Sequence, residues 1–102
     1  MTELWLVRHG QTEWSANGRH TSITDLDLTE TGVEQAKALD TRMDAADFGL
    51  VLCSPRLRAR RTAELAGFPN YEIEPDLAEW YYGDLEGLTS NQIRAEHHGW
   101  RI

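Results

Sequence analysis

Four consecutive apolar residues, Leu4, Trp5, Leu6 and Val7, run straight into Arg8, His9 and Gly10. An apolar run that stops so sharply predicts a buried strand with a cation and an imidazole at its carboxyl end. Gln11 to Asp25 shows no sustained periodicity and reads as a long polar loop, a length that inside a compact domain usually carries function. Thr29 then precedes Val33, Ala36, Leu39 and Met43, spaced for one helix face, which predicts a helix capped by Thr29 and finished over residues 44–49. Phe48 to Cys53 is a second apolar run. Ser54-Pro55 stops it and is expected to open the next helix, with a capping hydroxyl and a proline in the first turn. That helix carries Leu57, Ala59, Thr62, Ala63, Leu65 and Ala66, and Gly67 closes it. Tyr71 to Glu74 alternates as a short third strand ended by Pro75. The aromatic, acidic stretch Leu77 to Gly87 is broken by Gly83 and Gly87, and Leu88 to His98 reads as a last helix starting near Thr89 and Ser90, with Ile93 as its clearest apolar contact.

Strands alternating with helices predict an α/β fold, a mostly parallel sheet flanked by helices, in one domain spanning residues 1–102. In such a sheet the carboxyl ends of the strands share an edge, so Arg8-His9 and the segment from Ser54 onward are expected to converge. Composition narrows the function classes. Apolar residues make up 40%, and no apolar run approaches the ~20 residues a membrane span needs. No basic segment leads into an apolar stretch at the amino terminus, so a cytoplasmic protein without membrane association is expected. With 17 acids against 10 bases the net charge is -7, which argues against nucleic acid as a partner. The one cysteine, Cys53, behind Leu50, Val51 and Leu52, reads as a buried small hydrophobe.

The chemistry centres on His9. Arg58 lies at the start of a helix whose amino terminus favours an anion, and Arg8 approaches from the neighbouring strand. Two guanidiniums, helix-terminal amides and the Gly10 backbone suit a tetrahedral dianion such as phosphate. A neutral imidazole beside them is able to attack phosphorus. Glu79, among Trp80, Tyr81 and Tyr82, is a candidate proton donor whose pKa an aromatic setting would raise. Spacing alone leaves plainer readings open: His9 as a satisfied core histidine, Arg58 as a solvated helix residue, Glu79 as a surface acid. The cluster Arg56, Arg58, Arg60 and Arg61 does not share one helix face, adjacent His97 and His98 point apart, and no metal site is expected. His20 is a candidate pocket residue, and Trp14 and Trp80 candidate walls.

Leu6-Val-Arg-His-Gly-Gln-Thr-Glu-Trp14 resembles the signature of the histidine phosphatase superfamily, the phosphoglycerate-mutase-like proteins. Three more blocks follow in that family's order: Leu28-Thr29 with Gly32 and Gln35-Ala36; Ser54-Pro55 with Arg58-Ala59 and Thr62-Ala63; and Leu77, Glu79, Gly83, Glu86 and Gly87. The resemblance implies that His9 becomes phosphorylated, Arg8 and Arg58 hold the phosphoryl group, and Glu79 donates the proton. It places Gly10, Gln11, Thr12, Ser15, Thr21, Ser22 and Tyr82 around the substrate, and implies neither metal nor nucleotide cofactor. Ser15 stands where many members carry an asparagine. Together with Trp14, Gly18 to Thr21 and Glu79-Trp80, that is more similar to the branch acting on small phosphorylated metabolites than to the mutases. Mutase-type phosphoryl transfer and a non-catalytic phosphate-binding fragment are the alternatives. The family's second catalytic histidine ends an apolar strand, whereas His98-Gly99 follows a polar helical segment. The resemblance therefore implies an amino-terminal half of the fold, one whose activity in isolation is in doubt, with an exposed sheet edge open to self-association.

Overall fold

The computed structural model describes residues 3–100, so the outermost residues of the expected 1–102 domain, Arg101 and Ile102 among them, lie outside the described residues. Helices and a parallel strand pair alternate along the chain. They are α1 (Glu13–Ala16), α2 (Glu30–Leu39), β1 (Leu52–Cys53), α3 (Leu57–Leu65), β2 (Glu72–Ile73) and α4 (Ser90–Glu96). Leu52 pairs with Glu72 and Cys53 with Ile73 in parallel register, tied by Glu72 N–H to Val51 O at 2.9 Å and Glu74 N–H to Cys53 O at 2.8 Å. The α/β expectation and its parallel strand pairing are therefore what the chain forms.

The strand expected at Leu4–Val7 is absent. No ladder forms there, and Leu4 and Leu6 are 82% and 86% exposed. Apolar composition makes a segment willing to be a strand, but only a neighbour's backbone makes it one, and among the described residues β1 pairs with β2 alone. What anchors the segment is Trp5, whose ring meets Phe48 edge-on at 5.6 Å, while Phe48 meets Phe68 at the same separation.

Helix α2 starts as its sequence demands, with the Thr29 hydroxyl accepting from Gly32 N–H at 3.1 Å. It stops at Leu39, short of Met43, and buries Gly32 and Ala36. Helix α3 corrects the expected cap. It begins at Leu57, its N-cap is Arg56, and the Ser54 hydroxyl bonds the Arg56 amide at 3.3 Å instead. The helix starts two residues beyond the proline, and the first-turn amide of Leu57 is taken by the Asp25 carboxylate at 2.7 Å. At the other end Gly67, at φ 93°, permits the expected closure: Phe68 N–H reaches Ala63 O and Gly67 N–H reaches Glu64 O. Cys53 is buried, which pushes its thiol pKa up, in keeping with a packing role.

Two contacts decide where the site lies. The first is a glycine pair. A Cβ on Gly32 would run into the Gln11 carbonyl, and one on Gly10 into the Gly32 carbonyl, so the turn after His9 packs backbone to backbone on the start of α2. The second is a crossbrace. Residues 19–24 lie against 86–89 through His20 N–H to Leu88 O, Gly87 N–H to His20 O and the Glu86 carboxylate. Glu86 accepts from Ser22 N–H at 3.0 Å, from the Ser22 hydroxyl at 2.6 Å and from Thr24 N–H at 3.0 Å. Burial alone would raise its pKa; these donors outweigh burial and hold it at about 2. The expected loop thus has internal order, including α1, which a reciprocal Thr12 and Ser15 capping box builds.

Gly32→Ala would ordinarily gain about 0.5–1 kcal/mol from helix propensity. Here the backbone must shift, and a net loss within the ~1–3 kcal/mol range of overpacking is expected by urea unfolding; a stabilised variant would contradict the close approach. The depressed Glu86 pKa contributes stability above the ordinary carboxylate value near 4.5, and that stability drains away as pH falls toward about 2. Acid unfolding of Glu86→Gln should therefore show a shallower pH dependence between pH 5 and 2 than wild type, measured by circular dichroism.

Candidate active site

The loop after residue 7 delivers His9, half-buried, to the start of α3 without help from a strand. Gly10 N–H donates to the Thr62 hydroxyl at 2.9 Å, and that hydroxyl donates on to the Arg58 carbonyl at 2.7 Å. Thr62 thereby locks the residue after His9 to the turn of α3 that carries Arg58, and the expected convergence is realised through the helix.

The His9 ring is oriented by its own neighbour. Its Nδ1 lies 2.7 Å from the Gly10 carbonyl oxygen, an atom that can only accept, so Nδ1 carries the hydrogen and Nε2 keeps the lone pair. Burial pushes the imidazole pKa below its ordinary 6.5; the Gly10 carbonyl opposes this, and the charges of Arg58 and then Arg8 push it further down. A neutral ring at pH 7 follows.

Arg58 is 4% exposed. Its Nη1 donates to Thr24 O at 3.0 Å and its Nη2 to Ser22 O at 3.2 Å. Burial lowers its pKa, as does the Arg56 charge, against the pull of Asp25, Glu86 and Glu79. Two of its five N–H groups are thus used, and three stay on the fork. The solvated-helix reading of Arg58 is excluded by that burial. Arg8, in contrast, is exposed and reaches the site through its charge on His9.

Glu79 does not occupy the enclosed aromatic wall expected for it. It is exposed, as are Trp80 at 64% and Tyr81 at 68%, and it accepts from Trp80 N–H at 3.0 Å. Trp80 and Tyr81 are left exposed, while Tyr82 is half-buried and its ring meets that of Trp80 edge-on at 6.5 Å. Glu79 is still close enough to influence Arg58 and Tyr82. The Tyr82 phenol, pushed up chiefly by burial, sits with its ring 5.0 Å from His20.

The remaining expected pocket residues divide in two. Thr12 and Ser22 are 1% and 0% exposed, and their hydroxyls are spent inside the protein, on the α1 cap and on Glu86. We place them in the framework of the site, a correction to their expected place on the pocket wall. Gln11 is half-buried and engages Thr29, its Oε1 accepting from the Thr29 hydroxyl at 2.9 Å. Gly10 is buried, Ser15 exposed within the capping box, and the Thr21 hydroxyl turns to Arg19 O at 3.3 Å. His20, expected as a candidate liner, is instead braced by Leu88 O at 2.9 Å between the Tyr82 and Trp100 rings. Trp14 packs on Gly87.

Sequence reasoning missed two residues. Glu86 stood only as a motif position, and no local signal marks its bracing role, since its partners Ser22 and Thr24 lie more than 60 residues away. Arg56, set aside in the basic cluster, has a buried Nε without a partner among the described residues and acts on Arg58. Arg60 and Arg61 are used elsewhere, on Pro55 O and on Asp27. Among the described residues no group of three His, Cys, Asp or Glu side chains is placed to hold a metal, and no helix is long and apolar enough to cross a membrane.

Known proteins are similar to this chain in sequence and in fold. The chain is 45% identical over 101 residues to an acid phosphatase of Mycobacterium tuberculosis, covering 97% of the chain and 50% of that protein. It is 38% identical over 104 residues to a probable phosphoglycerate mutase of Photorhabdus laumondii, covering 99% of the chain and 48% of that protein. The solved structure of the open reading frame Rv3214 product from Mycobacterium tuberculosis superposes with a TM-score of 0.83 at 43% identity, over 92% of the chain and 50% of that structure. The chain thus spans about half the length of the curated relatives it matches. Residues 4–102 match the histidine phosphatase superfamily (branch 1), and the chain belongs to that family.

Proposed function

We propose that this chain carries the phosphoryl-accepting half of a phosphomonoesterase for small phosphorylated metabolites, working in the cytoplasm through a phosphohistidine at His9. The observation that supports it most is the state of His9: a neutral imidazole, hydrogen-bonded at Nδ1 by Gly10 O at 2.7 Å, so that Nε2 is the nucleophilic atom. In the first step the Nε2 lone pair forms a bond to phosphorus and the ester P–O bond breaks. Arg8 and the unspent edge of Arg58 stabilise the equatorial oxygens, and the Glu79 carboxyl group passes a proton to the departing alkoxide. In the second step water attacks phosphorus, the N–P bond breaks, and the Glu79 carboxylate takes the water's proton. Gly10, Gln11, Ser15, Thr21 and Tyr82 border the substrate in this reading. The mutase alternative draws on the 38% identical relative; there the phosphoryl group returns to an alcohol oxygen, not to water.

Incubating the protein with a phosphomonoester labelled in its phosphate is expected to leave acid-labile label on His9. His9→Ala should abolish the label and lower turnover by at least about 10³-fold, as loss of a covalent nucleophile does; full turnover in that variant would overturn the reading. Glu79→Gln should slow the release of alcohols with high pKa by about 10²-fold or more and leave well-activated aryl phosphates much less affected, seen by comparing leaving groups. The His9 ring, followed by NMR, is expected to titrate below 6.5.

A further inference from the structure

Arg58 and Glu86 hydrogen-bond the same two residues through different groups. Glu86 takes the amide hydrogens of Ser22 and Thr24, together with the Ser22 hydroxyl, while Arg58 donates to the carbonyl oxygens of those same residues. The Ser22 hydroxyl also accepts from Tyr82 N–H at 3.4 Å. We propose that Glu86 is a positioning residue for Arg58: it fixes residues 22–24 so that their carbonyls hold the guanidinium in one orientation, with its remaining N–H groups presented to the phosphoryl group. The proposal rests on reading Arg58 as a phosphoryl ligand, but the ordering of Arg58 can be tested without any ligand.

The argument is geometric. A buried arginine has long side-chain freedom to lose and five donors to satisfy. Two carbonyls set 3.0 and 3.2 Å from its Nη atoms fix its plane only if they are fixed themselves. Residues 22–24 belong to no helix or strand, so no regular ladder supports them. Their support is the Glu86 carboxylate, with three donors between 2.6 and 3.0 Å. By holding the amides of Ser22 and Thr24, the carboxylate restrains the backbone on the amino side of each residue whose carbonyl meets the cation. A neutral side chain would hold them less strongly.

The test pairs two readouts on the intact protein. The first is rotation of the Arg58 guanidinium, followed by 15N NMR; it is expected to be slow in wild type and fast in Glu86→Gln. The second is inorganic phosphate affinity by calorimetry. Deleting a negative charge beside an anion site would by itself tighten phosphate, whereas loss of positioning loosens it, so the signs differ. We expect roughly tenfold weaker binding in Glu86→Gln, the effect of about one displaced charge-assisted bond. Glu86→Asp keeps the charge but shortens the reach, so it too should loosen Arg58; Ser22→Ala, which removes only the 2.6 Å contact, should give a smaller loss and serves if the Glu86 variants do not fold. Arg58 equally ordered in a folded Glu86→Gln, or phosphate bound as tightly or more tightly, overturns the proposal. Arg58 ordered in wild type and released in the variants, with no phosphate bound by either, supports the positioning and refutes the phosphate reading instead.

Discussion

The site depends on a peptide segment held between opposite charges. Residues 22–24 form no regular structure, yet they set the direction of a buried arginine on one side because a carboxylate grips them on the other. An ion pair in direct contact would have neutralised the guanidinium and occupied its donors. Interposing backbone leaves the cation's charge available while still satisfying part of its hydrogen-bonding demand, and the carboxylate offsets some of the cost of burying it. The depressed Glu86 pKa and the lowered Arg58 pKa record the two sides of this arrangement.

That same charge reaches His9. Burial would keep the imidazole neutral in any apolar setting, but the arginines add to the effect, so the features that would bind a phosphoryl dianion also keep the ring able to attack it. Once a dianion arrives, the field reverses, and a protonated ring becomes easier to form. In the proposed reading, phosphate binding and the protonation state of the ring are therefore linked through Arg58 and Arg8, with the Gly10 carbonyl fixing which nitrogen keeps the lone pair.

What could be read from the chain tracks how local each signal is. Thr29 before an i, i+3 apolar spacing and Gly67 after one are signals contained within a few residues, and both ends formed as expected. Tyr71 to Glu74 paired because β1 lay within reach. Leu4 to Val7 carried an equally strong apolar signal and formed no strand, since a strand's partner is not written in its own residues. The aromatic enclosure expected around Glu79 is missing for a related reason. Trp80 and Tyr81 follow Glu79 directly in the chain yet stand exposed, because adjacency along a chain does not enclose a side chain. Glu86 escaped notice because its partners are more than 60 residues away.

The link from Gly10 through Thr62 to α3 gives the His9 turn a built-in reporter. Its amide hydrogen is held by a side chain of the helix, not by a sheet ladder. Solvent can exchange it only when the helix and the turn part company, so its exchange rate measures the free energy of that local opening, separately from global unfolding. In this chain the integrity of the His9 turn is a property of helix docking, and a single backbone proton keeps the record of it.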